Sequence, residues 1–277
     1  KYLDPIYYEY CNKTTYETIS ELTDNDELIA VFCGQFGDYG ITPKKSNFYT
    51  HATIVYHYLK GGYFPKGGTN VIANSIIKFI RKKDGEVLVG KKVKEIIIEN
   101  NCAKGVIMEN GDIILSKDVV SSVGIRNTFK KLIDRNSISD KILKPYEKLM
   151  NNIDSSVFHM YCFVKLRGTP EELNLRSSNM WIYPNKNYEK LFEDFLEEPL
   201  DNPMPLFIAF SCKKDTDWNN KYPGFSNAVV LGVINKNTFE EYKNTKIMKR
   251  GDSYEFLKEL LGDRMINDGL LKYFPQL

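Results

Sequence analysis

The stretch GGYFPKGG, residues 61–68, sets two glycine pairs around an aromatic pair, a proline and a lysine. A glycine cluster can cradle phosphate on its main-chain amides, as in the dinucleotide fingerprint and the P-loop, but both need particular spacings after a strand, and neither spacing is present. The plainer reading is that Gly61 and Gly62 end one helix while Gly67 and Gly68 open another, because glycine accepts the left-handed conformation found at helix ends. Metal chemistry finds no footing. His51 and His57 would stand about 600° apart on a helix and face different ways. The cysteines Cys11, Cys33, Cys102, Cys162 and Cys212 are scattered, with no CxxC pair, and no HExxH, paired metal carboxylates or serine elbow occurs, so no metal ligands are expected. His159 falls in a strand-like run and reads as a histidine satisfied by its surroundings. The run KKDTDW, residues 213–218, reads as a solvated charged turn.

The elements that must position these residues are built from a chain of 277 residues, 42% of them hydrophobic, enough for one large domain or two ordinary ones. A net charge of +2 from 38 basic and 36 acidic residues offers no field favouring nucleic acid. The cysteine pattern argues against a disulfide framework. No apolar run approaches the roughly 20 residues of a spanning helix. The sequence starts at Lys1, which makes a fragment or processed product the expectation.

Residues 14–33 read as two helices, the second capped by Asp24 or Asn25. Gly34, Gly37 and Gly40 fall three apart, a spacing of turns and not of a dinucleotide site. Phe48, Ala52, Val55, Tyr56 and Leu59 recur at helical spacing and predict the buried side of a helix ending at Gly61. Ile72, Ile76, Phe79 and Ile80 mark a second helix, stopped at Gly85. β-Branched runs over 86–123, with Asn110 and Gly111 as a tight two-residue turn, predict an antiparallel meander. Residues 126–150 read as helical, broken at Pro145. Strand-like runs and a helix at 187–197 follow, then a long helical region from Thr238 to Tyr273. The fold class is α+β.

The order of segments takes the reading further. GDYGITP, then SNFYTHATIVYHYLKGGYFPKGG, a helix, and GEVLVGKKVKEIIIENNCAKGVIMENGDIILSKDVVSSVG together resemble the central part of the retinol saturase and phytoene desaturase group of FAD-dependent oxidoreductases, which also holds carotenoid isomerases. FSCKKDTDWNNKYPG resembles a later retinol saturase segment, and RGDSYEFLKELL followed by YFPQL its next stretch. The likeness covers most of the chain.

The resemblance implies a piece of a longer flavoprotein whose pyrophosphate-binding fingerprint lies upstream and whose last flavin segment lies downstream. It implies a helical flavin- and substrate-facing segment at 1–85, a meander of the FAD-binding domain at 86–125, and a mixed-sheet substrate domain at 126–277 with antiparallel strands and a C-terminal helical region. It places Gly67 and Gly68 beside the flavin and Tyr63 and Phe64 beside a polyene. Val93 would meet the adenine through its backbone, and Ser121, Ser122 and Gly124 would return the chain to the cofactor. Tyr63, Lys66 and His57 become the candidate proton donors, Tyr63 first because a phenol is protonated at neutral pH. The implied cofactor is FAD, with NAD(P)H as a candidate electron donor, and the substrate an apolar retinoid- or carotenoid-like molecule. Peripheral membrane association, at the endoplasmic reticulum or elsewhere, and a cytoplasmic location both stay open. The alternatives are a desaturase or isomerase of the same group and a truncated, non-catalytic interaction module.

Overall fold

The computed structural model describes residues 4–153 and 158–277. In chain order these form α1 (Pro5–Asn12), α2 (Thr15–Ser20), α3 (Asp26–Cys33), α4 (Phe48–Tyr58), α5 (Asn70–Lys82), β1 (Val93–Glu99), β2 (Cys102–Met108), β3 (Ile113–Leu115), α6 (Ile125–Asn127), α7 (Asp140–Asn152), β4 (Phe158–Arg167), β5 (Met180–Ile182), α8 (Tyr188–Glu197), β6 (Leu206–Ala209), α9 (Trp218–Lys221), β7 (Phe225–Ile234) and α10 (Asp252–Arg264). Helices and antiparallel sheets make this an α+β protein. The described residues divide into two compact units, one joining 4–74 with 158–277, the other holding 75–153.

In the larger unit, polar side chains start the helices. Thr14 and Glu17 form a reciprocal capping box on α2, Asn25 caps α3, and Asn47 Oδ1 accepts from the Thr50 amide at 2.8 Å. These helices close over Phe36, which is fully buried against Tyr183, Tyr188 and Phe192. The Tyr188 hydroxyl donates to the Ala30 carbonyl at 2.8 Å and ties α8 to α3. The sheet runs in the order β4-β7-β6-β5 with every neighbouring pair antiparallel. The antiparallel strands expected in the later part of the chain are present, and the sheet they form contains no parallel pair among the described residues. Along β7, Ser226, Ala228, Val230, Gly232 and Ile234 point to a core shared with Phe195, Leu261, Met265 and Leu270, while the intervening residues lie on the opposite face, where Val233 packs against the cluster around Phe36.

Two helical expectations change. α4 forms, but it buries His51 and half-buries Phe48 and Ala52, leaving Val55 40%, Tyr56 72% and Leu59 72% exposed. Its buried side is polar: His51 Nδ1 lies 3.0 Å from the Tyr39 hydroxyl, which reaches Ser46 Oγ at 3.4 Å, and Ser46 Oγ reaches Thr15 Oγ1 at 2.8 Å. A satisfied histidine occupies the position that periodicity alone assigns to an aliphatic residue. The region after Thr238 is not one helix. A 3-10 turn at Lys236–Tyr242 leads to a loop held by the Arg250 guanidinium, which donates to the Tyr242 carbonyl at 2.8 Å, and α10 then runs into a π-turn at Met265–Leu271.

In the smaller unit, β1, β2 and β3 form the meander, shorter than expected because residues 86–90 and 118–124 are not strands. The two-residue turn sits at Asn100 and Asn101, with φ of 50° and 62° between the paired Glu99 and Cys102. At Asn110 and Gly111 only Gly111 takes positive φ, 90°, among the described residues of that turn. The Gly111 amide donates to the Met108 carbonyl at 3.0 Å and the Met108 amide to the Asp112 carbonyl at 2.9 Å. This is a three-residue loop with glycine in the left-handed position, not the two-residue turn expected. α7 runs through Pro145, correcting the expected break, with Leu143 and Met150 of the same helix buried. Residues 126–153 group with the meander: the Ser139 amide donates to Asn101 Oδ1 at 2.7 Å, and the Arg126 guanidinium donates to the Met150 carbonyl at 2.8 Å.

The packing separates two positions that hydropathy treats alike. Phe36→Ala should cost about 3–5 kcal/mol, as for a fully buried phenyl ring, whereas Leu59→Ser should move stability by less than about 0.5 kcal/mol. Urea unfolding of the two variants checks this.

Candidate functional site

The glycine-aromatic stretch is a stop and a start joined by a latched turn. The Gly61 amide donates to the Tyr58 carbonyl at 2.9 Å, and Gly61 takes φ +85° just beyond α4. Pro65 opens a turn closed by the Gly68 amide on the Pro65 carbonyl at 3.1 Å. Gly67 stands third in this turn with φ +91°, and Gly68 follows at +86°; a residue with a Cβ is strained in both places.

The latch comes from the other end of the larger unit. Asp215 is 6% exposed, and its Oδ1 accepts from the Gly67 amide at 2.8 Å and the Asp217 amide at 3.0 Å. Lys221 Nζ donates to the Gly67 carbonyl at 2.7 Å and lies 3.9 Å from Asp215 Oδ2 and 3.7 Å from Asp217 Oδ2. The Gly67 amide, then the Asp217 amide and the Lys221 and Lys66 charges, hold the Asp215 carboxyl below the usual aspartate range. Asp215 is thus not part of a solvated turn, which corrects the reading of KKDTDW.

A cavity of about 280 Å³ opens on this turn, lined by Phe64, Gly67, Gly68, Trp218, Lys221 and Tyr222 among others. The Trp218 and Tyr222 rings, 4.5 Å apart, are shared with a second cavity of about 370 Å³ on the sheet beside Phe163 and Phe225. The Trp218 indole donates to the Phe225 carbonyl at 2.8 Å, which fixes α9 along β7.

Of the residues named from sequence, Gly67 and Gly68 line the first cavity. Tyr63 does not: its ring is 92% exposed and its hydroxyl donates to the Lys60 carbonyl at 3.4 Å. Lys66 is exposed on the turn, and His57 is exposed on α4 with its ring edge-on to Tyr58 at 5.1 Å. In the smaller unit, Val93 begins β1 half-buried, and the Ser121 and Thr128 hydroxyls share a hydrogen bond of 2.7 Å. Ser122 and Gly124 are exposed, Gly124 at φ +89° before α6. Among the described residues no group of three or more His, Cys, Asp or Glu side chains is placed to hold a metal ion. Sequence reasoning missed Asp215, Trp218, Lys221 and Tyr222 as members of the site. Their signal lay in the FSCKKDTDWNNKYPG segment, whose resemblance marked it without assigning its residues.

No family model matches the chain. It is 32% identical over 277 residues to all-trans-retinol 13,14-reductase of Danio rerio, covering 97% of this chain and 45% of that protein. An inactive all-trans-retinol 13,14-reductase of the same organism is 29% identical over 284 residues, covering 100% of this chain and 46% of the relative. Phytoene desaturase (lycopene-forming) of Pseudescherichia vulneris is 26% identical over 226 residues, covering 80% of this chain and 43% of its own. Among solved structures, an oxidoreductase from Methanosarcina mazei superposes with a TM-score of 0.61 at 16% identity, covering 93% of this chain and 53% of that one. That structure speaks for the fold alone, one of helices and antiparallel sheets. By sequence the chain belongs to the group of all-trans-retinol 13,14-reductases, phytoene desaturases and carotenoid isomerases. It spans about half the length of the curated relatives it matches, 45% of the Danio rerio reductase.

The latch has a definite acid response. A carboxylate with a lowered folded pKa contributes stability that is full above the ordinary aspartate range and lost as pH falls through the folded value. Amide exchange at Gly67 should therefore be slow at neutral pH and gain speed beyond the intrinsic pH dependence below that range. Asp215→Ala, which leaves the Gly67 and Asp217 amides without this acceptor, should speed exchange at neutral pH and cost about 1–3 kcal/mol. Asp215→Asn, which keeps an acceptor oxygen, should remove the acid dependence.

Proposed function

We propose that this chain is part of an FAD-dependent oxidoreductase that acts on C=C bonds of an apolar, retinoid- or carotenoid-like polyene. The observation that carries this reading is the floor of the first cavity: two glycines at positive φ, latched by a buried carboxylate and flanked by Phe64, Trp218 and Tyr222. Bare backbone beneath aromatic walls suits a flat heteroaromatic ring. About 280 Å³ lies just below the usual range for small-ligand sites; it suits a ring system and is too small for a whole dinucleotide. In the smaller unit, Val93, Ser121, Ser122 and Gly124 are proposed as the cofactor-contacting residues of that unit by itself. Family membership supplies the substrate class.

Bound FAD would supply or accept the hydride in C=C chemistry, with NAD(P)H as the proposed electron donor. The chain's own part is to present the flat backbone of Gly67 and Gly68 and to exclude water with the aromatic walls; the proposed proton carriers, Tyr63 first and then Lys66 and His57, are exposed and stand outside that cavity's lining, so the proton step is proposed at the surface beside it. The direction of the redox step separates a saturase from a desaturase or isomerase. A non-catalytic role is a second reading, favoured by the relative named as inactive at 29% identity. Among the described residues no helix is long and apolar enough to cross a membrane; peripheral docking at a membrane surface, at the endoplasmic reticulum or elsewhere, fits the delivery of an apolar substrate.

In the full-length enzyme, Gly68→Val should reduce both bound flavin, read by its visible absorbance, and turnover. A turn that only joins two helices would lose about 1 kcal/mol of stability and keep turnover per folded molecule. Tyr63→Phe should lower kcat by roughly 100-fold if the phenol supplies the proton. Absence of flavin and of turnover from the wild-type full-length protein would favour the non-catalytic reading.

A further inference from the structure

The outward face of β4 changes character along its length. Tyr161 and Phe163 stack nearly parallel with ring centroids 5.8 Å apart and are 50% and 78% exposed. Lys165 and Arg167 come next on the same face, because alternate strand residues share a side. Pairing with β7 sets Val229 beside Phe163 and Phe225 beside Arg167, and Lys165 Nζ lies 3.8 Å from the centroid of the Phe225 ring. Among the described residues, no carboxylate forms an ion pair with Lys165 or Arg167. The cavity of about 370 Å³ opens here, with Phe163, Lys165 and Phe225 on the sheet and Trp218 and Tyr222 as its other wall.

Exposed aromatic surface next to cations without carboxylate partners suits a ligand that is apolar along its length and anionic at its end. The volume falls in the range for one small molecule. A hydrocarbon or alcohol would cover the rings and leave both cations to water. A carboxylate would satisfy the ammonium through a charge-assisted hydrogen bond at the cost only of its contact with the Phe225 ring.

The geometry points to a carboxylate-reading subsite: the groove binds the apolar chain of one amphiphile, and Lys165 pairs with its terminal carboxylate while Arg167 adds to the same positive field. The ligand is an acid-ended amphiphile, distinct from the apolar polyene of the proposed redox function, and the inference does not rest on that function. Trp218 and Tyr222 separate the groove from the glycine-turn cavity, so a chain held by Lys165 lies against the wall of that cavity.

The test uses the full-length protein with parinaric acid, a fluorescent conjugated polyene acid, and its methyl ester. The acid should bind about tenfold more tightly than the ester, as a charge-assisted hydrogen bond allows, and added salt should narrow the ratio. Lys165→Met should abolish the preference and leave ester binding unchanged, whereas Phe163→Ser should weaken both ligands; circular dichroism verifies folding of each. Equal affinities for acid and ester, or a ratio unchanged in Lys165→Met, would overturn the inference. Adsorption to phosphatidylserine vesicles without saturable probe binding would assign the face to a membrane and overturn it too. Binding is read without flavin. Acid preference in a protein with no flavin-linked turnover removes the redox reading alone, and turnover of a polyene without acid preference removes this subsite alone.

Discussion

The hydrogen bond from the Gly67 amide to Asp215 holds the candidate site together. It joins residues 148 apart in sequence and brings the glycine turn to the segment between β6 and β7. A carboxylate this buried is costly unless its charge is matched, and here two amides and the Lys221 ammonium match it. Lys221 takes the Gly67 carbonyl as well, so donor and acceptor of the same residue are both engaged. The left-handed backbone at Gly67 is therefore clamped at both polar groups, and the cavity floor is set by charge as much as by glycine's freedom.

The antiparallel sheet provides what this clamp is fastened to. One face of β7 is sealed by Phe195, Leu261, Met265 and Leu270, and this interior strand, paired on both sides, is what the Trp218 indole grips through the Phe225 carbonyl. The opposite face keeps Tyr161 and Phe163 in solvent. A two-layer α+β unit buries one side of its sheet against helices and can leave the other to ligands.

The helical part of the same unit buries a polar chain instead of a purely apolar one. Thr15, Ser46, Tyr39 and His51 satisfy one another in sequence, and burial pushes the His51 pKa down, toward the neutral ring. Such a chain fixes the pairing of α2 with α4 more specifically than aliphatic contacts would, because each hydroxyl has few acceptable partners.

Local signals were legible where local physics decides. The Asn25 cap of α3, the stop at Gly61 and the strand-like runs that became the meander around residues 93–115 and β7 all follow from preferences within a few residues. Motif order was legible as well and placed the chain in its group. The buried side of α4 was not, since hydropathy cannot know that Tyr39 would arrive to satisfy His51. The three-residue loop at Gly111 was set by the pairing of Met108 with Asp112, which dipeptide preference does not encode. The site itself divides the same way: Gly67 and Gly68 announce a special backbone from sequence alone, whereas Asp215 looks like any charge in a polar run until folding buries it. Position along the chain determines which residues can cap, turn or alternate; only tertiary burial decides which carboxylate must find an amide, and that need selects the partner of the glycine turn.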